Sequence, residues 1–493
     1  MGKGQTNSES RIFTVESANC EQRGGHMIIL SALLWTCLMS LLTVATAQAG
    51  PADRHNRGQR LRVVYPTGFG APLPAVAHNP LDLEGFASGQ LDFKEVETLP
   101  QIGPVFNGVS CAGCHSHPAI GGAGLFINEI RVRNNTQPGP VHIFAVDNML
   151  RRGAQSQAGT PIFTSGIEAE PLGCQITVPG CQLSVCQLEE AAATTFNTTL
   201  PTCDPTAADF VGGGNCIVGR AATPLFGLGL VEAVADAALI QLAQSEAPAM
   251  RGTVKQVVEN GASRVARFGW KNDHATLRAF SGDAYLHEMG ITNPDNPLPI
   301  STCARNQTQF GITLQTNDDP EDSPGTDGRA DVDRFVDFMR ALDVPPTLPR
   351  DASAQYGARL FTQIGCQSCH TSSLTTAPDP ASFIPPTTGN VPISATLNTA
   401  LANRTFHPYS DFLLHDMGSL GDGITSGVAS PGMMRTVPLW GVRARSRFLH
   451  DGRAATLTEA ITLHAGQGAA AAAAFQGLSA TQQQDIIDFL NTI

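Results

Sequence analysis

The stretches "VFNGVSCAGCH" (105–115) and "LFTQIGCQSCH" (360–370) are near copies of one pattern. Each ends in two cysteines separated by two residues, with a histidine directly after the second cysteine. C-x-x-C-H is the attachment sequence of c-type haem, in which the thiols form thioethers to the porphyrin and the histidine binds the iron. We therefore predict two covalent haems, attached at Cys111 and Cys114 and at Cys366 and Cys369, with His115 and His370 as axial ligands of the irons.

Two other kinds of site use closely spaced cysteines. A structural zinc site normally shows two ligand pairs, whereas each cluster here has two cysteines and one contiguous histidine. A thioredoxin-like C-x-x-C is expected between a strand and a helix. Two complete copies of C-x-x-C-H in a chain with 12 Cys and 13 His are not expected by chance, so haem attachment is favoured.

Length and charge limit the classes of function. The chain has 493 residues, which suffices for two or three domains, and its hydrophobic fraction of 42% is typical of a globular protein. The net charge is −12, so no basic surface indicates nucleic-acid binding. We interpret the acidic balance as an ordinary solvated surface; a basic electron-transfer partner is the alternative.

The N-terminal segment indicates export. Arg23 precedes an apolar run over 27–46, and Ala47-Gln48-Ala49 then forms an A-x-A cleavage site. We assign 1–49 to an N-terminal extension and signal peptide and predict a periplasmic protein. The apolar run is long for a signal peptide, so an uncleaved N-terminal anchor that associates with the membrane is the alternative.

The remaining cysteines agree with an oxidising compartment. Cys20 and Cys37 precede the cleavage site. An even number is left after haem attachment, which predicts up to three disulfides of undetermined connectivity. We place most of them in an insertion at about 170–220. The six cysteines are Cys174, Cys181, Cys186, Cys203, Cys216 and Cys303.

The chain divides into two unequal units that each close on an apolar helix. The helical spacing of Phe335, Val336 and Met339 predicts one closing helix, and that of Ile486 and Phe489 predicts the other. The segment 352–365 predicts the helix that leads into the second haem motif. We expect a mainly α fold of two fused cytochrome c-like domains. These are 50–346, which the disulfide-containing insertion enlarges, and 350–493.

The second axial ligand of each iron decides the function, because a six-coordinate haem favours electron transfer and an open one permits peroxide or oxygen chemistry. In "AATLTEAITLHAGQG" (454–468), Thr456 and Glu459 predict a capping box, and His464 follows on the apolar face of the helix. His464 is one candidate ligand of the second haem. The alternative is Met433 or Met434.

Several motifs together resemble a known family. They are "GPVFNGVSCAGCHSHPAIGG", "PLFGLGLVEA", "RFGWKNDHATLRAFSGDAYLHEMGITNP", "YSDFLLHDMG" and "RTVPLWGVRARSRFLHDGRAATLTEAI". From about residue 60 onwards the chain is similar to the di-haem oxidoreductases labelled thiol oxidoreductases or peroxidases. These in turn resemble bacterial di-haem cytochrome c peroxidases. The resemblance favours His464 over Met434, since a second-haem ligand follows "HDG" at this spacing in those relatives.

The resemblance implies an enzyme: a haem-dependent, peroxidase-like oxidoreductase in which the C-terminal haem passes electrons to the N-terminal haem. It implies an electron-donor protein or quinol-linked cytochrome and a small-molecule oxidant as partners, with no nucleic acid. It also makes the turn 435–438 a candidate calcium contact. A non-catalytic di-haem electron-transfer protein and a di-haem oxygenase are the alternatives.

The reactive environment of the first haem is harder to predict. Glu129, His142, His287 and Glu288 are candidate catalytic residues, but no spacing selects among them, so the catalytic residue stays unknown. Trp270 and Trp440 are the tryptophans that follow the leader. We interpret Trp270 as a core residue, and leave Trp440 open between the core and a relay of electrons between the haems.

Overall fold

A computed structural model describes residues 68–97, 110–124, 127–133, 216–289, 291–297 and 329–493. All of these belong to one compact unit. Helices dominate, and the strands form four two-stranded antiparallel sheets in the described ranges. The predicted mainly α fold is thus confirmed. The division into two domains at 346–350 stays a prediction.

The first unit begins with a short helix and a long one. Helix α1 is Pro74–His78 and α2 is Pro80–Lys94, separated by Asn79. The Asn79 side chain caps α2 by accepting a hydrogen bond from the Leu81 backbone N–H at 3.1 Å. Pro80 stands at the first helical position, where its missing N–H costs nothing. Helix α3, Cys111–Cys114, is a single turn that carries the first haem motif.

The middle of the chain combines two hairpins with short helices. Strands β1 (Ile127–Arg133) and β2 (Cys216–Ala221) pair, as do β3 (Gln256–Glu259) and β4 (Ala262–Val265). Between these hairpins lie α4 (Leu228–Glu232) and α5 (Asp236–Ser245). Helix α6 is Leu277–Met289.

The first unit closes on helix α7, and the second unit follows an extended linker. The apolar face predicted for α7, Asp331–Ala341, is buried. Helix α8, Ala352–Gln363, leads into a 3-10 turn at Cys366–Ser368 that carries the second haem motif. The remaining elements are β5 (Leu374–Thr375), α9 (Ala395–Leu401), β6 (Thr405–Phe406), β7 (Leu414–Asp416), β8 (Met433–Arg435), α10 (Leu457–Thr462), α11 (Ala469–Gln476) and α12 (Ala480–Leu490).

Each leading helix crosses its closing helix at a glycine. Helix α2 packs on α7 and α8 packs on α12. A Cβ on Gly89 would lie 2.4 Å from the Arg334 carbonyl oxygen, and one on Gly357 would lie 1.8 Å from the Asp485 carbonyl oxygen. Only a residue without a side chain permits backbones to approach this closely. The two units therefore share one helix-crossing geometry.

This crossing predicts different effects for two glycines of the same helix. Gly89→Ala should lower the free energy of unfolding by about 1–3 kcal/mol, because the new methyl overlaps the backbone of α7. Gly85→Ala is the matched control, since no atom lies within 4 Å of its added Cβ. It should stabilise the helix by up to about 1 kcal/mol. Denaturant unfolding of the holoprotein measures both, and equal effects would contradict the close crossing.

The buried residues form two hydrophobic cores. The smaller core joins α8 to α12, with Phe361, Phe475 and Phe489 at its centre. The larger core joins α2, α6 and α7, but it also takes Leu401 and Trp440 from the C-terminal half. The C-terminal half therefore supplies side chains to both cores.

Several predictions lie outside the described residues. These are the signal peptide at 1–49, four of the six remaining cysteines at 174–203, Cys303 and almost all of the insertion. Cys216 belongs to β2, but its side chain lies outside the described part as well. No helix within the described ranges is both long and apolar enough to cross a membrane.

Candidate functional site

The first cavity surrounds the first haem motif. Cys111, Cys114 and His115 line it from α3, and Ala284 and Met289 line it from α6. His115 Nδ1 lies 3.3 Å from the Gly122 carbonyl oxygen. A carbonyl only accepts, so this contact places the proton on Nδ1 and leaves Nε2 as the nitrogen available to a metal. The Phe93 ring of α2 packs against the imidazole, with centroids 6.2 Å apart.

The second cavity repeats this arrangement. His370 Nδ1 lies 2.9 Å from the Tyr409 carbonyl oxygen, and the Phe361 ring packs against the imidazole at a centroid distance of 6.2 Å. Phe361 follows Gly357 by four residues, as Phe93 follows Gly89. Burial lowers the pKa of His370 to about 4, and His464 adds to this shift. The imidazole is therefore neutral at neutral pH, as a metal ligand requires.

His464 lies across the second cavity from His370. The two ring centroids are 6.4 Å apart. Two imidazoles that bind one first-row metal ion at about 2 Å from opposite sides place their ring centres about 6 Å apart. His464 Nδ1 faces the Ala460 carbonyl oxygen at 2.8 Å, so Nε2 is again the available nitrogen, and burial lowers the pKa of the imidazole. The spacing fits an iron between the two rings.

The second cavity also has charges that suit a haem. Arg435 and Arg445 line it: Arg435 Nε donates to the Gly269 carbonyl oxygen and Arg445 Nη2 to that of Pro438. Burial lowers the pKa of both guanidiniums to about 10. A buried guanidinium is costly without a nearby anion. Asp411 supplies part of that charge to the buried Arg435, and haem propionates would add more. In the first cavity, Arg220 is a lining cation, held by Asp422 at 3.0 Å.

The thiols do not resemble those of a redox-active disulfide site. Burial raises the pKa of Cys366 to about 12 and also raises that of Cys111, with further increases from the neighbouring thiols. A reactive thiol has a lowered pKa. Cys369, Asp411 and His415 form a group close enough to hold a metal ion within the described ranges. A thioether at Cys369 would remove the thiolate that such an ion needs.

A loop and helix before each cavity are also duplicated, which sequence analysis missed. The stretches "RFGWKNDHATL" (267–277) and "RFLHDGRAATL" (447–457) each close a seven-residue loop by a bridge, Phe268 to His274 and Phe448 to Ala454. The second and fifth residues of both loops have positive φ. These angles are 78° and 52° at Gly269 and Asn272, and 70° and 67° at Leu449 and Gly452. A threonine then caps the following helix in each copy: Thr276 Oγ1 accepts from Ala279 N, and Thr456 Oγ1 from Glu459 N.

This duplication aligns α6 with α10. Leu277 corresponds to Leu457, and seven residues further on Ala284 corresponds to His464. Both helices pack on the closing helix of their unit, and Ala284 and His464 each line their own cavity. At the position where the second unit places an imidazole opposite His370, the first unit has a methyl group.

Details of the α10 prediction need correction. Thr456 caps the helix, but the Glu459 carboxylate accepts from the Ala455 N–H at 2.8 Å rather than from the backbone of Thr456. The capping box is therefore only half formed. The helix ends at Thr462, so His464 lies two residues beyond it rather than on its face. The turn after the helix directs the imidazole toward His370.

The two tryptophans occupy different environments. Trp270 lines both cavities, so its assignment as an ordinary core residue is wrong. Its Nε1 donates to the Ala221 carbonyl oxygen at 2.9 Å, and its ring meets the His450 ring edge-on, with centroids 6.1 Å apart. Trp440 is the core residue: it is buried against Phe406 in the larger hydrophobic core.

The structure brings only some of the other candidates to a cavity. Glu288 lines the first cavity, whereas His287 Nδ1 pairs with Asp283 Oδ1 at 2.8 Å. His142 and the side chain of Glu129 lie outside the described part. His274 and Asp283 also line the first cavity, and sequence reasoning missed both. The signal was present as the "NDH" that precedes the shared "ATL" of the duplicated loops.

The competing ligand and the calcium contact lie near the second cavity. Met434 lines it, and Met433 does not appear in the lining. Beside the turn 435–438, Lys271 Nζ donates to the carbonyl oxygens of Ser430 and Met433, both at 2.8 Å. The Lys271 ammonium and the Arg435 guanidinium therefore already bind backbone carbonyl oxygens that a calcium ion near this turn would need. Calcium at the turn stays a prediction.

A family model described as "Di-haem oxidoreductase, putative peroxidase" matches residues 210–493, which is more than half of the chain. This protein belongs to the di-haem oxidoreductase family. The match begins after the first haem motif, so Cys111, Cys114 and His115 lie outside it, whereas the α6 and α7 residues that line the first cavity lie inside it. The second cavity, the duplicated loops and the closing helices all lie within the matched range. No curated protein matches the chain.

Two solved structures are similar to this chain only at low sequence identity. One is Kuenenia stuttgartiensis hydrazine synthase pressurised with xenon, at 17% identity and a TM-score of 0.22, covering 39% of this chain and 61% of that chain. Another is a MauG-like protein associated with microbial copper homeostasis, at 15% identity and a TM-score of 0.26, covering 54% of this chain and 88% of that chain. This chain therefore spans less than two thirds of the hydrazine synthase chain.

Proposed function

We propose that this protein is an exported di-haem c-type oxidoreductase that reduces a peroxide-like substrate at the first cavity, with electrons received at the second. The observation that carries the proposal is the exchange of His464 for Ala284 between the duplicated segments. In the second unit two imidazoles face each other at iron-binding separation, which favours electron transfer. In the first unit the corresponding ligand position is a methyl, which favours access by a substrate.

When bound, the haems supply one-electron redox chemistry and, in the first cavity, an open iron position. The chain supplies the rest. Cys111 and Cys114 would hold one haem by thioethers, and Cys366 and Cys369 would hold the other. The His115 and His370 imidazoles, each oriented by a backbone carbonyl, would each supply a nitrogen ligand to an iron. Reduction of hydrogen peroxide to two waters consumes two electrons and two protons, so an external donor is required.

Trp270 supports a direct path between the cavities, because its indole lines both of them. The electron donor would then be a one-electron carrier protein or a quinol-linked cytochrome that docks near the second unit. The oxidant is a small molecule able to enter the first cavity. Export is part of this proposal, because covalent haem attachment in bacteria occurs outside the inner membrane.

The composition of the purified protein tests attachment and export together. We expect the mass of the mature chain to equal a polypeptide that begins near Gly50 plus two haems. Cys111→Ala and Cys366→Ala should each compromise attachment of one haem. A mature chain with one haem or none would contradict the attachment, and a soluble form that begins before Met27 would contradict cleavage.

The spectrum of the purified protein tests the division of labour. We expect one low-spin and one high-spin haem after oxidation or after half-reduction, together with peroxide-dependent oxidation of a reduced donor. Half-reduction is included because the related peroxidases free the reactive iron in that state. Two haems that stay low-spin in both states would instead identify an electron-transfer protein. Oxygen consumption without peroxide turnover would identify an oxygenase.

A further inference from the structure

His274 occupies an acidic corner of the first cavity. Its Nε2 lies 3.4 Å from Asp283 Oδ2, and its Nδ1 lies 3.8 Å from Glu259 Oε1. The Phe280 ring covers the imidazole at a centroid distance of 5.5 Å. Both ring nitrogens lie within ion-pair distance of a carboxylate. These separations are long for hydrogen bonds, so the two carboxylates stabilise a protonated imidazole mainly by their charge.

This environment differs from that of the three predicted iron ligands. His115, His370 and His464 each have Nδ1 against one backbone carbonyl, which leaves Nε2 for a metal. In His274 the Nε2 faces the Asp283 carboxylate instead. An imidazole held between two acids is suited to carrying a proton rather than to binding iron.

The charges around His274 favour its protonated form. Burial alone would lower the pKa of the imidazole, but Asp283, then Glu259 and Asp273, outweigh it and raise that pKa above its ordinary value. Burial would likewise raise the pKa of Asp283, yet His287 and His274 hold it well below its usual range. The surrounding carboxylates thus oppose the effect of burial on His274 and favour its protonated form.

The two carboxylates are themselves held in place. Glu259, at the end of β3, accepts hydrogen bonds from Ala275 N and Thr276 Oγ1, both at 2.7 Å. Asp283 Oδ1 lies 2.8 Å from His287 Nδ1 on the next turn of α6. His287 Nδ1 also lies 2.9 Å from the Asp283 carbonyl oxygen. His274, Asp283 and His287 are therefore a chain of neighbouring titratable groups that begins at the cavity.

The second copy of the duplicated loop lacks this chain. Ala454, which is fully buried, stands at the position of His274, and Leu463 stands at that of Asp283. The unit with the ligand His464 thus has no acid–base pair at these positions. The unit with Ala284 has the pair and lacks that ligand. Without a histidine at 284 and with the His274–Asp283 pair, the first cavity is suited to a reaction that transfers protons.

We propose that His274 is the general acid–base residue of the first cavity. Asp283 and Glu259 position it, and it is reprotonated through His287. The inference rests on the proposed peroxide-reducing function. When the O–O bond breaks, its electron pair goes to the leaving oxygen, which takes a proton from His274 and departs as water. The other oxygen takes up two electrons, which the donor protein supplies through the haems, and a second proton, which comes from solvent through His287 and Asp283. It then leaves as the second water.

Cyanide tests His274 without relying on turnover, because HCN must lose its proton when it binds an iron. In the half-reduced holoprotein, His274→Gln should slow cyanide association by about 100-fold and peroxide reduction by about 100-fold or more. The spin state of both haems should be unchanged. His407→Gln is the matched control: this histidine is exposed and its Nδ1 faces the Ser372 carbonyl oxygen. It should leave both rates unchanged.

The pH profile of cyanide association provides a second measurement. Neutral His274 accepts the proton, so the rate should rise as pH rises through the pKa of His274. The groups facing it are Glu259 from β3, Asp273 from the loop, and Asp283 with His287 from α6. Asp283→Asn removes an acid that raises the pKa, so the rise should move to lower pH. An unmoved profile would overturn the proposal.

The outcomes separate this proposal from the proposed function. If His274→Gln converts the first haem from low to high spin, His274 is an iron ligand and the proposal is wrong. Unchanged cyanide association in His274→Gln would refute it as well. If the unmutated protein binds cyanide with the predicted dependence on His274 but reduces no peroxide, the acid–base role stands and peroxide reduction fails.

Discussion

Ala284→His is expected to convert the first haem into a six-coordinate, low-spin centre and to lower peroxide reduction by about 100-fold or more. Ala284 lies on α6 where His464 follows α10, and each lines its own cavity. A new imidazole at this position should bind the iron opposite His115. A ligand in the sixth position would then compete with the substrate. Electron spin resonance of the oxidised and half-reduced protein measures the coordination, and donor oxidation measures the activity.

Ala284→Leu is the matched control. Leucine adds bulk to the same cavity without a metal-binding atom, so the first haem should stay high-spin even if activity falls. The second haem should keep its spectrum in both variants. A high-spin first haem in Ala284→His would show that residue 284 does not reach the first iron as His464 is expected to reach the second. That result would remove the observation on which the proposed function stands.

His464→Ala is expected to open the second haem, converting it to high spin, and to reduce electron delivery to the first haem by about 10-fold or more. His464 faces His370 with ring centroids 6.4 Å apart, so its loss removes the second axial ligand. The first haem should keep its spectrum, because its ligands lie elsewhere. His464→Met should keep the second haem six-coordinate and raise its reduction potential, since a thioether favours ferrous iron more than an imidazole does.

Met434→Leu is the matched control for His464→Ala. Met434 lines the same cavity and is the alternative ligand, yet its replacement should leave both spectra unchanged. If His464→Ala has no spectral effect and Met434→Leu opens the iron, the ligand assignment is reversed. Spectra and redox titrations of His464→Ala and Met434→Leu, measured side by side, decide whether His464 or Met434 is the ligand of the second haem.

The helices that sequence predicted best are those whose signals are local. Ser479 caps α12 by accepting from Gln482 N at 3.3 Å, as expected for a serine just before an apolar helix. The apolar faces of α7 and α12 are buried, because helical periodicity follows from the order of residues alone. The haem motifs are equally local, since both thiols and the ligand histidine lie within five residues.

The errors arose where two distant segments meet. We interpreted Trp270 as a core residue because the residues next to it in the sequence do not show that its side chain lines two cavities. The duplicated loops were missed because they share only a few identities, although their positive-φ residues fall at the same two positions. His274 became a candidate only when Glu259 and Asp283, from separate elements, were found beside it.

By itself, the sequence predicted two covalent haems, a mainly helical fold and export, because each prediction depends on neighbouring residues in one short stretch. Tertiary structure decided which side chains share a cavity with His115 and which with His370. His464 and Ala284 lie 94 and 169 residues from their respective partners His370 and His115 along the chain. Only the packing of α10 and α6 against the closing helices brings them to the cavities. Whether a haem carries electrons or meets a substrate depends on those long-range contacts.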